Sequence, residues 1–116
     1  MKSLKYSAGD IFIAKSPYSD FGTLKTRPIV VLSPNKYNSL FEDVVILSIT
    51  TKEKSIDLVF EINNDDLLEN KLKNISYIRL DKPASIDKKH LEHKITSLTN
   101  SAFANLKSKI KEFYEL

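Results

Sequence analysis

The chain has 116 residues, of which 41% are hydrophobic and 28% charged, and a formal net charge of +3. That length holds one domain spanning residues 1–116, and a globule of this size buries roughly 65% of the surface its unfolded chain exposes. The lack of cysteine excludes disulfides, a thiolate nucleophile and thiolate metal sites.

The longest apolar run, Ile29-Val30-Val31-Leu32, is strand-sized and well short of the roughly 18 residues of a membrane span. The first residues, Met1-Lys2-Ser3-Leu4-Lys5-Tyr6, lack the apolar region of a signal peptide, so a cytoplasmic protein with no membrane partner is expected. A pI near 9.0 suits a polyanionic partner without demanding one. The kind of basic residue is more telling. Only two of the 18 are arginine, Arg27 and Arg79, and only arginine offers phosphate a planar fork of donors.

In chain order, Gly9-Asp10 signals a turn, and Ile11-Phe12-Ile13-Ala14 reads as a first strand. Ser16 to Thr26 is a polar loop with Pro17, Asp20 and Gly22, long for a small β domain. Arg27 to Ser33 is a second strand, with Pro28 at its start because proline cannot donate to a ladder, and Pro34-Asn35 breaks it. Asp43 to Thr50 is a third strand, so apolar over five residues that both its faces should be covered. Leu58 to Ile62 is a fourth, Asn74 to Leu80 an alternating fifth, Ala84 to Asp87 a short sixth and Lys94 to Leu98 a seventh. The period then changes: Phe103, Leu106, Ile110 and Phe113 form one stripe of a helix from about Asn100 to Tyr114, capped by Thr99. Several short strands closed by one amphipathic helix predict a mainly β, strongly bent sheet or small barrel.

Three segments can carry chemistry. Pro28 restricts Arg27 to extended backbone, so its guanidinium projects from a defined point where loop meets strand; a surface arginine at a strand start fits the same residues. Ser48-Ile49-Thr50-Thr51 ends the most apolar strand in hydroxyls that can donate to a phosphate oxygen, though threonine is also simply a good strand former. Arg79-Leu80-Asp81 sets a cation and a carboxylate two apart, hence on one face, as a structural ion pair would also be. Together these groups suit metal-free phosphodiester cleavage, which needs a base, an acid and fixed cations around the phosphate. His90 and His93 offer too few neighbouring ligands for a metal site and read as surface residues. No cofactor is expected.

The run Gly9 to Ile13, then Arg27-Pro28-Ile29-Val30-Val31-Leu32-Ser33, Tyr37-Asn38 and Val44 to Thr51 resembles the PemK/MazF/Kid family of toxin endoribonucleases. So do Ser76 to Lys82, Ile86-Asp87-Lys88 and Lys94-Ile95, in the same order along the chain. The resemblance implies a small SH3-like (CcdB/PemK-like) barrel that pairs as a homodimer. It implies the toxin component of a type II toxin–antitoxin system, cutting single-stranded RNA at chosen sequences without a metal. The 2′-hydroxyl attacks the adjacent phosphate and leaves a 2′,3′-cyclic phosphate. It also implies a cognate antitoxin whose C-terminal segment folds across the RNA groove.

By the same resemblance Arg27 is an acid/base and phosphate-stabilising residue, Thr50 holds the scissile phosphate, and Arg79 with Asp81 are an acid and a base, Asp81 being the expected base. Around them Phe21, Thr23, Lys25, Thr51 and Lys52 are expected to contact RNA, Phe21 by stacking on a base. The first loop departs from the family: Asp20-Phe21-Gly22-Thr23-Leu24-Lys25-Thr26 stands where many members carry Gly-Ser-Glu-Gln or Gly-His-Glu-Gln. That departure keeps an alternative open, a barrel that binds RNA or a peptide without cutting.

Overall fold

A computed structural model describes residues 6–15, 26–52, 55–69 and 72–116. Six stretches, most of them with several β-branched residues, form the strands β1 (Asp10–Lys15), β2 (Thr26–Val31), β3 (Asp43–Thr50), β4 (Val59–Ile62), β5 (Ser76–Asp87) and β6 (Leu91–Ser97). Two α-helices join them, α1 (Asn35–Leu40) and α2 (Asn100–Phe113). The strands make one antiparallel sheet in the order β4-β5-β3-β2-β1-β6.

Strand β3 lies inside the sheet and is buried on both faces. Val44 and Ile46 join Phe12, Ala14, Ile29, Val31, Ile86 and Leu91 on one side. Leu47 and Ile49 join Ile11, Val30, Ile78 and Leu80 on the other, where α2 lays down Ala102 and Leu106. This two-sided cover is what the unbroken apolar run predicts. The α2 face follows its period, and Thr99 caps it by accepting from Ala102 N–H at 3.1 Å.

The sheet bends until its two edges approach. Leu67, in the segment after β4, bridges Leu98 after β6, with Leu68 N–H donating to Ser97 O at 2.9 Å and Thr99 N–H to Asp66 O at 2.8 Å. Gly9 secures a third point: its N–H donates to Val31 O and its carbonyl accepts from Leu98 N–H, at a φ of +93° that suits glycine alone. The sheet stays open, as an SH3-like barrel does.

Two expectations are corrected. The fifth and sixth strands are one strand, β5, because the irregularity between them is a bulge inside a continuous pairing with β3. Six strands therefore stand among the described residues, within the five to seven expected. Helix α1 has no counterpart in the sequence reading. At six residues it is too short to show a period, and tertiary bonds hold it: buried Asn38 donates to Tyr6 O and Ser33 O at 3.0 and 2.9 Å, and Tyr37 Oη donates to Asp43.

Leu106 is fully buried between helix and sheet. Leu106→Ala should lower unfolding free energy by about 2–5 kcal/mol, read from urea denaturation.

Candidate active site

The ladder between β2 and β3 runs from Val31–Ile46 to Ile29–Ser48 and stops there. Beyond it lie Arg27 on β2 and Thr50 on β3. Two residues past Ile29, Arg27 points to the face of Ile29 and Val31; two past Ser48, Thr50 points to that same face. Carried on in the same register, the two strands set Arg27 opposite Thr50. On the other edge of β3, Thr50 pairs with Tyr77, and Arg79 follows two residues later on the Tyr77 face. Arg27, Thr50, Arg79 and Asp81 thus gather at one end of the sheet, on the side away from α2.

The bulge shapes the Arg79 end. Between Leu47–Pro83 and Ile49–Ile78, β3 advances two residues while β5 advances five, so Arg79 to Lys82 arch opposite Ser48. Within that arch Arg79 Nε donates to Asp81 Oδ1 at 2.8 Å and Nη2 to Oδ2 at 2.7 Å. The side chains are 19% and 26% exposed, so the pair is partly shielded while still reachable. Arg27 pairs with Ala14 in the β1–β2 ladder and is exposed.

Thr50 Oγ1 accepts from Lys52 N–H at 3.1 Å, a local turn that keeps its own proton available for a phosphate oxygen. Thr51 and Lys52 are exposed in the bend that follows. Phe21, Thr23 and Lys25 lie outside the described residues. Tyr77, to which sequence spacing assigns no role, sits directly across from Thr50 and is half-buried. Its alternation with Arg79 is the signal that places it there. Ser48 Oγ is buried on this face with no hydrogen-bond partner among the described residues. Among the described residues no three His, Asp or Glu side chains gather as metal ligands, and no helix is long and apolar enough to cross a membrane.

The two hydrogen bonds from Arg79 hold the Asp81 carboxyl below the usual carboxylate range, and Asp81 in turn pushes the Arg79 guanidinium up. A depressed carboxyl stabilises the fold fully above its unfolded value of about 4, and the contribution is lost as pH falls through the folded value. Following Asp81 by carbon-detected NMR titration should give a pKa below about 4 that rises toward about 4 in Arg79→Ala. The destabilisation of Arg79→Ala, measured in urea, should shrink as the buffer is acidified through that range.

Among curated proteins of assigned function, none matches this sequence. The fold is similar to several solved structures. An endoribonuclease in complex with its cognate antitoxin, from a mycobacterial species, is 18% identical with a TM-score of 0.76, covering 95% of each chain. The Mycobacterium tuberculosis toxin MazF-mt6 is 20% identical at a TM-score of 0.75, over 92% of this chain and 97% of that one. A MazE–MazF complex from Deinococcus radiodurans is 13% identical at 0.73, over 98% and 99%. The family model described as PemK-like, MazF-like toxin of type II toxin-antitoxin system matches residues 7–114. That match takes in all six strands, both helices and the whole arginine–hydroxyl–carboxylate constellation, and the chain belongs to this family of toxins.

Proposed function

We propose that this toxin is a metal-independent endoribonuclease acting on single-stranded RNA. What supports the reading is the strand register, which carries Arg27, Thr50 and Arg79 toward the sheet end where the β2–β3 ladder has stopped, with Asp81 bonded to Arg79. Free backbone groups and hydroxyls at such an end suit phosphate contacts, which position a strand without reading its bases.

In the reaction the 2′-oxygen attacks the adjacent phosphorus and the bond to the 5′-oxygen breaks. The 2′-hydroxyl loses one proton and the departing 5′-oxygen gains one, leaving a 2′,3′-cyclic phosphate and a 5′-hydroxyl. Arg27 and Arg79 face the charge that builds on the equatorial oxygens, and Thr50 donates to one of them. Asp81 acts in the same cluster through Arg79. Thr51 and Lys52 extend the RNA path, and Phe21, Thr23 and Lys25 also contact RNA in this reading.

The enzyme works as a homodimer in the cytoplasm, and the C-terminal segment of a cognate antitoxin covers the same groove. The solved relatives in complex with antitoxins support that partner. The unusual loop Asp20 to Thr26 favours a second reading, a barrel that binds RNA without cutting it.

Purified protein incubated with a long single-stranded RNA in excess EDTA should yield defined fragments ending in 2′,3′-cyclic phosphate; intact but retarded RNA would support the binder. Arg27→Ala should slow cleavage by about 100–1,000-fold, because it removes a charge interaction realised mainly in the transition state. Its melting temperature should match wild type, since Arg27 is exposed.

A further inference from the structure

Resting on the cleavage reading above, we infer that Asp81 is a positioning residue: it grips one edge of the Arg79 guanidinium, turns the opposite end toward the scissile phosphate, and takes no proton from the RNA.

The geometry of the fork supports this. A guanidinium has five N–H donors in a plane, and Asp81 occupies the Nε–Nη2 edge with both of its oxygens. The end-on edge, one N–H from Nη1 and one from Nη2, is left, and it can span two phosphate oxygens. Each carboxylate oxygen already accepts one charge-assisted bond, which lowers its affinity for a 2′-hydroxyl proton. A residue waiting to act as base needs an exposed oxygen and an affinity for protons near the working pH. Here the pairing moves carboxylate and guanidinium away from neutrality in opposite directions, as suits groups that hold charge rather than exchange protons.

The bulge explains why the grip forms. On a regular strand, residues two apart stand side by side like pegs. The arch of Arg79 to Lys82 opposite Ser48 bends the backbone and turns the Asp81 carboxylate onto Arg79 in a two-pronged contact. Partial burial then limits the competition of water for the same donors. Arg79 meets the substrate with its conformational freedom already reduced, which lowers what must be ordered in the transition state.

The test is a double-mutant cycle on Asp81 and Arg79, read by single-turnover cleavage and by binding of an oligonucleotide carrying 2′-methoxy groups, which cannot be cut. Asp81→Ala should slow cleavage about 10–100-fold, the scale on which orienting partners matter. In an Arg79→Ala background the same change should cost less than about twofold, because Asp81 acts only through the guanidinium. Asp81→Asn, which keeps its shape and one acceptor for Nε, should recover part of the loss, and the pH–rate profile of Asp81→Ala should keep the wild-type shape.

A full additional loss in the Arg79→Ala background, or an acid limb that disappears with Asp81, would make it the base and overturn the assignment. Should wild-type protein leave RNA intact, the cleavage reading fails, and the uncleavable oligonucleotide still decides the grip. Non-additive weakening by the two alanines supports it; Asp81→Ala binding as tightly as wild type refutes it. Thermal melts of each variant establish that the folds are retained.

Discussion

Strand β3 is covered on both faces and paired on both edges, and the rest of the molecule is arranged around that burial. A strand so enclosed must satisfy every backbone group in its ladders. Its pairing runs as far as Ser48 on the β2 side and, interrupted by the bulge opposite Ser48, to Thr50 on the β5 side. Where the β2 ladder ends, the side chains turn from Ile46 and Leu47 to Ser48 and Thr50. The apolar run and the polar end are two halves of one constraint: the buried length fixes the strand, and its last residues are the first able to face a charged ligand.

The second constraint is the mismatch between β3 and β5. Pro83 stands opposite Leu47 with no N–H to give, and the pairing resumes only at Ile78–Ile49. The residues left over between those two points are Arg79 to Lys82. A bulge would ordinarily be a weakness in a ladder. Here the loss is offset by burial of Ile78 and Leu80 in the core on the α2 side, while the intervening Arg79 and Asp81 find each other on the opposite side. Ser48, facing that arch, keeps a buried hydroxyl with no partner among the described residues.

Much of this was legible in the sequence, and the parts that were not have physical reasons. The bounds of β3 agree residue for residue because a run of β-branched residues ended by hydroxyls has few other ways to fold. Thr99 and the stripe Phe103, Leu106, Ile110 and Phe113 marked α2 equally well. Two strands were read where β5 is continuous, since Pro83 looks like a break in one dimension and is a bulge only when Leu47 stands beside it. Helix α1 escaped because Asn38 and Tyr37 hold it through bonds to Tyr6, Ser33 and Asp43, partners that local spacing cannot reveal. Residue types pointed to Arg27, Thr50, Arg79 and Asp81. What spacing could not convey was the bidentate geometry of the last two, which depends on the bulge. Phe21, Thr23 and Lys25 fall in a segment outside the described residues.

The contrast between the two arginines follows from these placements. Arg27 stands exposed at the start of β2, aimed by Pro28 but held by no side chain among the described residues. Arg79 is half enclosed and clamped. A lysine would bring the same charge to either position, yet it is a point cation on a flexible stem and could not be gripped at one edge while offering another. In the proposed reaction the clamped guanidinium supplies a fixed frame for the phosphate. The free one closes onto it, losing its freedom only once RNA is in place. Such a division puts rigidity where β5 bulges and adaptability at the start of β2, and a chain otherwise built on lysine has reason to carry arginine at both positions.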